Sequence, residues 1–177
     1  MRKVAVITDS NSGIDRVEAG CLGIEVIPMP FFIDGALYHE GVNLSHEEFY
    51  TFLKNGAEVS TSQPSMYDVT ETWNRALRDF EEVVYLPMTS GLSSGCQTAM
   101  MMAEDFNGAV QVIDNKRISW TLKQSVIEAV RLAEEGFSAL EIKEILEREA
   151  LHAAIYITVD NLKYLKKGGR VTPAAAS

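Results

Sequence analysis

Short apolar runs alternate with amphipathic stretches along most of the chain. Residues 4–8 are largely β-branched and apolar, and they end in Thr8-Asp9-Ser10, which predicts a buried strand running into a polar turn. Residues 24–33 form a second run, but Pro28 and Pro30 each remove a ladder donor, so this strand should lie at an edge or bend. Asp34-Gly35 predicts a tight turn into Ala36-Leu37-Tyr38 and hence a small hairpin. Ser45 and Glu48 fit a capping box for a helix through Phe49 and Leu53 that stops at Asn55-Gly56. A polar segment over 60–65 follows. Val69, Trp73, Ala76, Leu77 and Phe80 then recur at helical spacing. Residues 83–86 predict a strand, 89–95 a Ser/Gly-rich turn, and the stretch through Met100 and Ala103 a helix. The next strand is 110–113, ending at Asp114. One helix then places Leu122, Val126, Ile127, Val130 and Ala133 on one face, and another opens with the capping box Ser138/Glu141 and runs to about Ala150. Residues 153–159 are expected to form a fifth strand, before Asp160 and a basic stretch over 163–170.

Strands alternating with helices predict an α/β fold, a mostly parallel sheet with helices on both faces. The 177 residues, 46% of them apolar, can bury one such core. The 25 acidic residues outnumber the 16 basic ones, and a net charge of −9 repels a polyphosphate, so no nucleic-acid partner is expected. Cys21 and Cys96 have neither CxxC spacing nor nearby histidines, which argues against zinc and disulfides and for a reducing, cytoplasmic setting. The first apolar run is too short for a signal-peptide core, and no stretch approaches the ~20 apolar residues of a membrane helix. Thr172-Pro173 reads as a helix start, yet only Ala174, Ala175, Ala176 and Ser177 follow, and a single turn is unstable alone. The expectation is an α/β domain over 1–160, with 161–177 the start of a truncated second domain.

Ligands of open α/β sheets bind beyond the carboxyl ends of the strands. The chain should place there Asp9 and Ser10, the 89–94 turn with Ser93 and Ser94, Asp114, Thr158 and Asp160, joined by the loop of Thr61 and Ser62. Hydroxyls and helix N-terminal amides suit one carboxylate or phosphate better than a triphosphate. The plain alternatives are that Asp9 and Ser10 cap a turn and that Thr61 and Ser62 lead into a helix. Met100, Met101 and Met102 read as core filler, and His39, His46 and His152 are too scattered for a metal site. Gly91-Leu92-Ser93-Ser94-Gly95 satisfies GxSxG between a strand and a helix, the place of a hydrolase nucleophile. Four residues separate it from the strand, however, and His152 would sit at the wrong sheet edge to activate Ser93. No GxGxxG, P-loop or HExxH is present, so no cofactor is expected.

Thr8-Asp9-Ser10, Thr61-Ser62-Gln63-Pro64-Ser65, Ser90-Gly91-Leu92-Ser93, Val112-Ile113-Asp114 and Gly168-Gly169-Arg170 follow one another in the order of the DegV family. The chain resembles that family over nearly its whole length, and Thr-Ser-Gln-Pro-Ser is the most specific block. The resemblance implies a non-enzymatic carrier that buries a long-chain fatty acid between two domains, with Thr61 and Ser93 hydrogen-bonding the carboxylate. Ser62, Ser94, Asp9, Ser10 and Arg170 join them as candidate ligand residues. In some bacteria such carriers present the acid to a separate fatty acid kinase for phospholipid synthesis. The chain departs from the family in carrying Ser94 where Gly is usual, and Thr121 and Lys123 where glycines follow the serine matching Ser119. A further headgroup ligand of the family, a histidine, lies beyond the part matched here. One apolar wall of the acyl tunnel should then be exposed, which invites self-association.

Overall fold

The computed structural model describes residues 3–159 and 162–171. The first apolar run forms β1 (Val4–Asp9), all of it buried. After a 3-10 turn comes α1 (Arg16–Leu22), capped by Asp15, and then β2 (Glu25–Ile27). With β6 (Glu82–Leu86) and β7 (Val110–Val112) these strands build a parallel sheet in the order β2-β1-β6-β7. Register runs from Val4 opposite Glu82 to Thr8 opposite Leu86. Parallel strands need crossovers, and helices supply them on both faces.

The alternation along β1 and β6 divides the core in two. Val4, Val6, Val84 and Leu86 face α5 (Ser119–Glu134) and α6 (Ala139–Arg148) through Leu122, Val126, Ala129 and Ile142. Ala5, Ile7, Val83 and Tyr85 face α3 (Met66–Ala76) and α4 (Gly95–Ala103). Trp73 is fully buried there, its ring edge-on to Tyr85 and Phe106 with centroids 5.7 and 5.3 Å away. Burial of both faces explains why β1 and β6 read as continuous apolar runs. Among the three methionines expected as filler, Met102 is buried and Met100 packs on the core, whereas Met101 is exposed.

Residues 24–33 do not form one strand. The run breaks after Ile27, and Pro30 opens β3 (Pro30–Ile33), which belongs to a second, antiparallel sheet. There β3 lies between β4 (Ala36–His39) and β5 (Val59–Thr61), and Asp34 (φ 49°) and Gly35 (φ 81°) make the left-handed turn of the expected hairpin. The polar segment expected over 60–65 thus begins as a strand, since β3 offers it a ladder from Phe31 opposite Thr61 to Ile33 opposite Val59. The helix α2 (His46–Lys54) covers this sheet, and both halves of its Ser45/Glu48 capping box form.

Residues 153–159 form no fifth strand. They leave the 3-10 turn Ala150–His152 without joining either sheet, with Tyr156 94% exposed. The chain then forms a short α7 (Lys163–Lys167). Asp160 and the helix start expected at Thr172-Pro173 lie outside the described residues.

Candidate functional site

A cavity of about 820 Å³ opens between the antiparallel sheet, the carboxyl edge of the parallel sheet and the C-terminal segment. That volume falls within the roughly 300–1,000 Å³ typical of small-molecule sites. Its apolar lining includes Met29, Phe31, Ile118, Ile157, Leu162 and Leu165. Its polar lining is concentrated in two adjoining loops, Thr61, Ser62 and Gln63 from one and Ser93 and Ser94 from the other, and Arg170 and Asn11 also line it.

Thr61 ends β5, so its position is fixed by the ladder to Phe31, and the Ser62 hydroxyl donates to the Gln63 carbonyl at 2.9 Å. The turn carrying Ser93 is pinned at several points. The Ser90 amide donates to Asp114 Oδ1 at 3.2 Å, Lys116 bonds both Asp114 and the Ser90 hydroxyl, and the Gly91 amide donates to Thr89 Oγ1 at 3.1 Å. Burial pushes the Asp114 carboxyl up, but hydrogen bonds from Lys116 and Ser90 outweigh it and hold the group below the usual carboxylate range. Ser93 Oγ accepts the Gly95 amide at 3.1 Å in the first turn of α4, which leaves its own hydrogen available to a ligand. Ser94 Oγ lies 3.5 Å from Gln63 Oε1.

Arg170 Nε donates to the Leu92 carbonyl at 3.0 Å, next to Ser93, and Lys167 Nζ meets Glu58 Oε1 at 2.6 Å. These bonds tie the basic segment from the end of α7 to Arg170, one end to the residues before β5 and the other to the 89–94 turn. Lys166 remains exposed.

Asp9 and Ser10 are not brought to the cavity wall. Asp9 is 3% exposed and accepts the Met88 amide at 2.8 Å and both the amide and the side chain of Asn11 at 3.0 Å. Burial raises its pKa despite these donors. Ser10 Oγ accepts the Met29 amide at 3.1 Å and donates to Glu40, joining the two sheets. Asp9 borders a separate small pocket of about 20 Å³, together with Gln63, Ser93 and Tyr85. Thr158 falls in the irregular exposed segment, and of its neighbours only Ile157 and Val159 reach the cavity.

The GxSxG turn lacks hydrolase machinery among the described residues. No histidine lines the cavity, and His152 sits in an exposed 3-10 turn, 2.7 Å from Glu149. The nearby thiol of Cys96 is buried, and that burial pushes it up to about 12, so it stays protonated. No group of ligand-type side chains that could hold a metal occurs among the described residues, and no described helix is long and apolar enough to cross a membrane.

Sequence reasoning missed Gln63, Asn11 and the apolar lining from Met29, Phe31 and Ile118. Gln63 stood within the Thr-Ser-Gln-Pro-Ser block, so a signal for it existed. Met29 and Phe31 read as ordinary core of a strand, and nothing local marks them as ligand-facing.

The chain matches the model of the DegV family, a family of uncharacterised proteins, over residues 3–177. It is 31% identical over 172 residues to a DegV domain-containing protein of Staphylococcus aureus, covering 97% of this chain and 62% of that protein. A DegV family protein from Thermus thermophilus, solved in a study of its fatty acid binding, superposes with a TM-score of 0.84 at 32% identity, over 99% of this chain and 63% of its own. A fatty acid binding DegV family protein from Streptococcus agalactiae gives 0.86 at 26% identity, over 99% and 63%. A stearic acid-binding protein from Eubacterium ventriosum gives 0.79 at 26% identity, over 100% and 64%. The chain thus spans a little over three-fifths of the length of these relatives. It belongs to the DegV family.

Proposed function

We propose that this chain binds a long-chain fatty acid, its carboxylate held by Thr61 and Ser93 with Ser62, Ser94 and Arg170 beside them. The observation that carries this reading is the cavity of about 820 Å³, apolar over most of its wall, with its hydroxyls gathered where those two loops and Arg170 meet. The solved relatives that bind fatty acids add support.

The energetics fit an amphiphile. Each fully buried methylene contributes ~0.8 kcal/mol and a half-buried one correspondingly less, so a long acyl tail gains roughly 5–10 kcal/mol before ordering costs. A hydroxyl donating to a carboxylate adds about 1.5–3 kcal/mol. The tail supplies most of the affinity, and the hydroxyls set its direction. Asp9 and Ser10 act as wall supports on this reading rather than as ligands. The protein is a cytoplasmic carrier without chemistry of its own, and it presents the acid to a fatty acid kinase that feeds phospholipid synthesis. On this reading α7 and the residues up to Val171 supply one wall for the tail, through Leu162, Leu165, Arg170 and Val171.

Native mass spectrometry of the purified protein, with solvent extraction of whatever co-purifies, tests the binding. A stoichiometric long-chain fatty acid, lost in the Thr61→Ala/Ser93→Ala double variant, is the expected result. No fatty acid bound on purification and none taken up on addition would overturn the reading.

A further inference from the structure

Gln63 occupies a position that its sequence neighbours do not explain. It lines the large cavity and also the small pocket beneath it. Its side-chain Oε1 faces two hydroxyls from the start of α4, Ser94 Oγ at 3.5 Å and Thr98 Oγ1 at 3.4 Å. Both distances are long for O–H···O bonds, so they bias the amide rather than lock it. Gly95 permits the approach: a Cβ there would lie 3.2 Å from Ser93 Oγ and 3.4 Å from Gln63 Cβ. With Oε1 turned toward α4, the amide nitrogen Nε2 is directed away from that helix. Among the described residues it has no acceptor.

A primary amide carries two donors, and Gln63 is half-buried on the cavity wall, so these donors are open to solvent or to a ligand. A carboxylate placed between Thr61 and Ser93 would satisfy them. We propose that Gln63 donates its side-chain amide to the carboxylate of the bound acid, with Ser94 and Thr98 setting the direction of that amide. Gln63 is then a headgroup ligand and Ser94 a positioning residue. The inference rests on the proposed function, because it assigns a further contact within the same site.

The test compares a fatty acid with the fatty alcohol of equal chain length at pH 8, on wild type, Gln63→Glu, Gln63→Met and Ser94→Gly. The alcohol fills the same apolar volume without the charge, so the ratio of the two affinities reports the headgroup alone. Partial unfolding of a variant lowers both affinities and leaves the ratio unchanged.

Gln63→Met removes the donors and should lower acid affinity about 10-fold, and Gln63→Glu, which sets like charges together, by about 100-fold. Alcohol affinity should stay within about twofold in both, as expected for an isosteric change that leaves the apolar wall intact. Ser94→Gly should reduce the acid-to-alcohol ratio only about two- to threefold, because it loosens the amide without removing it. Equal losses for acid and alcohol in the Gln63 variants, or no loss in either, would overturn the assignment while leaving fatty acid binding intact. Wild type that binds neither compound would overturn the proposed function, and this inference with it.

Discussion

Asp9 shows how a polar residue at a strand end can be engaged by the backbone around it. Three donors from Met88 and Asn11 converge on its buried carboxylate. The sequence displays a Thr-Asp-Ser turn beyond a strand but not which way its side chains face, so the turn-capping and ligand readings of Asp9 both stood open. In the structure Ser93 lines the cavity, whereas the Met88 backbone closes over Asp9. Asp9→Asn keeps one acceptor and strands the Met88 amide, for an expected loss of about 1–3 kcal/mol in urea unfolding. The pH dependence follows from burial, which raises the folded-state pKa of Asp9 above its ordinary 3.8. The stability linked to that raised value is fully present below about pH 3.8 and is lost as pH rises through the folded pKa. The gap between wild type and Asp9→Asn should therefore narrow from pH 4 to pH 7. A gap that widens over that range would show that the carboxylate gains more from its donors than it loses to burial.

Secondary structure was legible wherever the signal is local. The capping boxes at Ser45/Glu48 and Ser138/Glu141 both form with the reciprocal bonds their sequences imply. So does the Asp34-Gly35 turn, because its left-handed backbone is a demand on two residues only. Strands depend on what lies beside them. Residues 59–61 carry little apolar character yet pair with β3, whereas 153–159, rich in β-branched and aromatic side chains, find no partner in either sheet. Hydrogen exchange should separate the two cases. Amides of β7, as β-branched in sequence as 153–159, pair with β6 and should be protected, whereas those of 153–159 should exchange orders of magnitude faster. Protection of 153–159 equal to that of β7 in dilute, ligand-free protein would mean that the segment pairs after all, and the cavity wall would have to be redrawn.

At the scale of the whole molecule the cavity is a joint product of two sheets and a C-terminal segment, and only the polar side of it could be anticipated. Hydroxyl-rich loops announce themselves in sequence, but an apolar wall is written in the same residues as a core. Among the described residues that wall is incomplete. Ile157 and Val159 line the cavity while remaining 60% and 39% exposed, in a segment that neither sheet covers. An acyl tail lying against them would keep part of its surface in water. A fully enclosed tail gains ~0.8 kcal/mol per methylene, close to fourfold in affinity. A tail buried on about half its circumference should gain about 0.4 kcal/mol, or roughly twofold per methylene. Displacement of a fluorescent fatty acid by saturated acids of increasing length should therefore give a shallow slope, flattening where the tail outgrows the cavity. Replacing Ile157 by Asp, on the exposed side, should lower affinity for every acid whose tail lies against it. A slope near fourfold per methylene would show instead that the protein closes fully around its ligand. The wall must then come from residues outside the described ones, from the described ones folding over the tail or from a second copy, and light scattering of the loaded protein would single out the last by its mass.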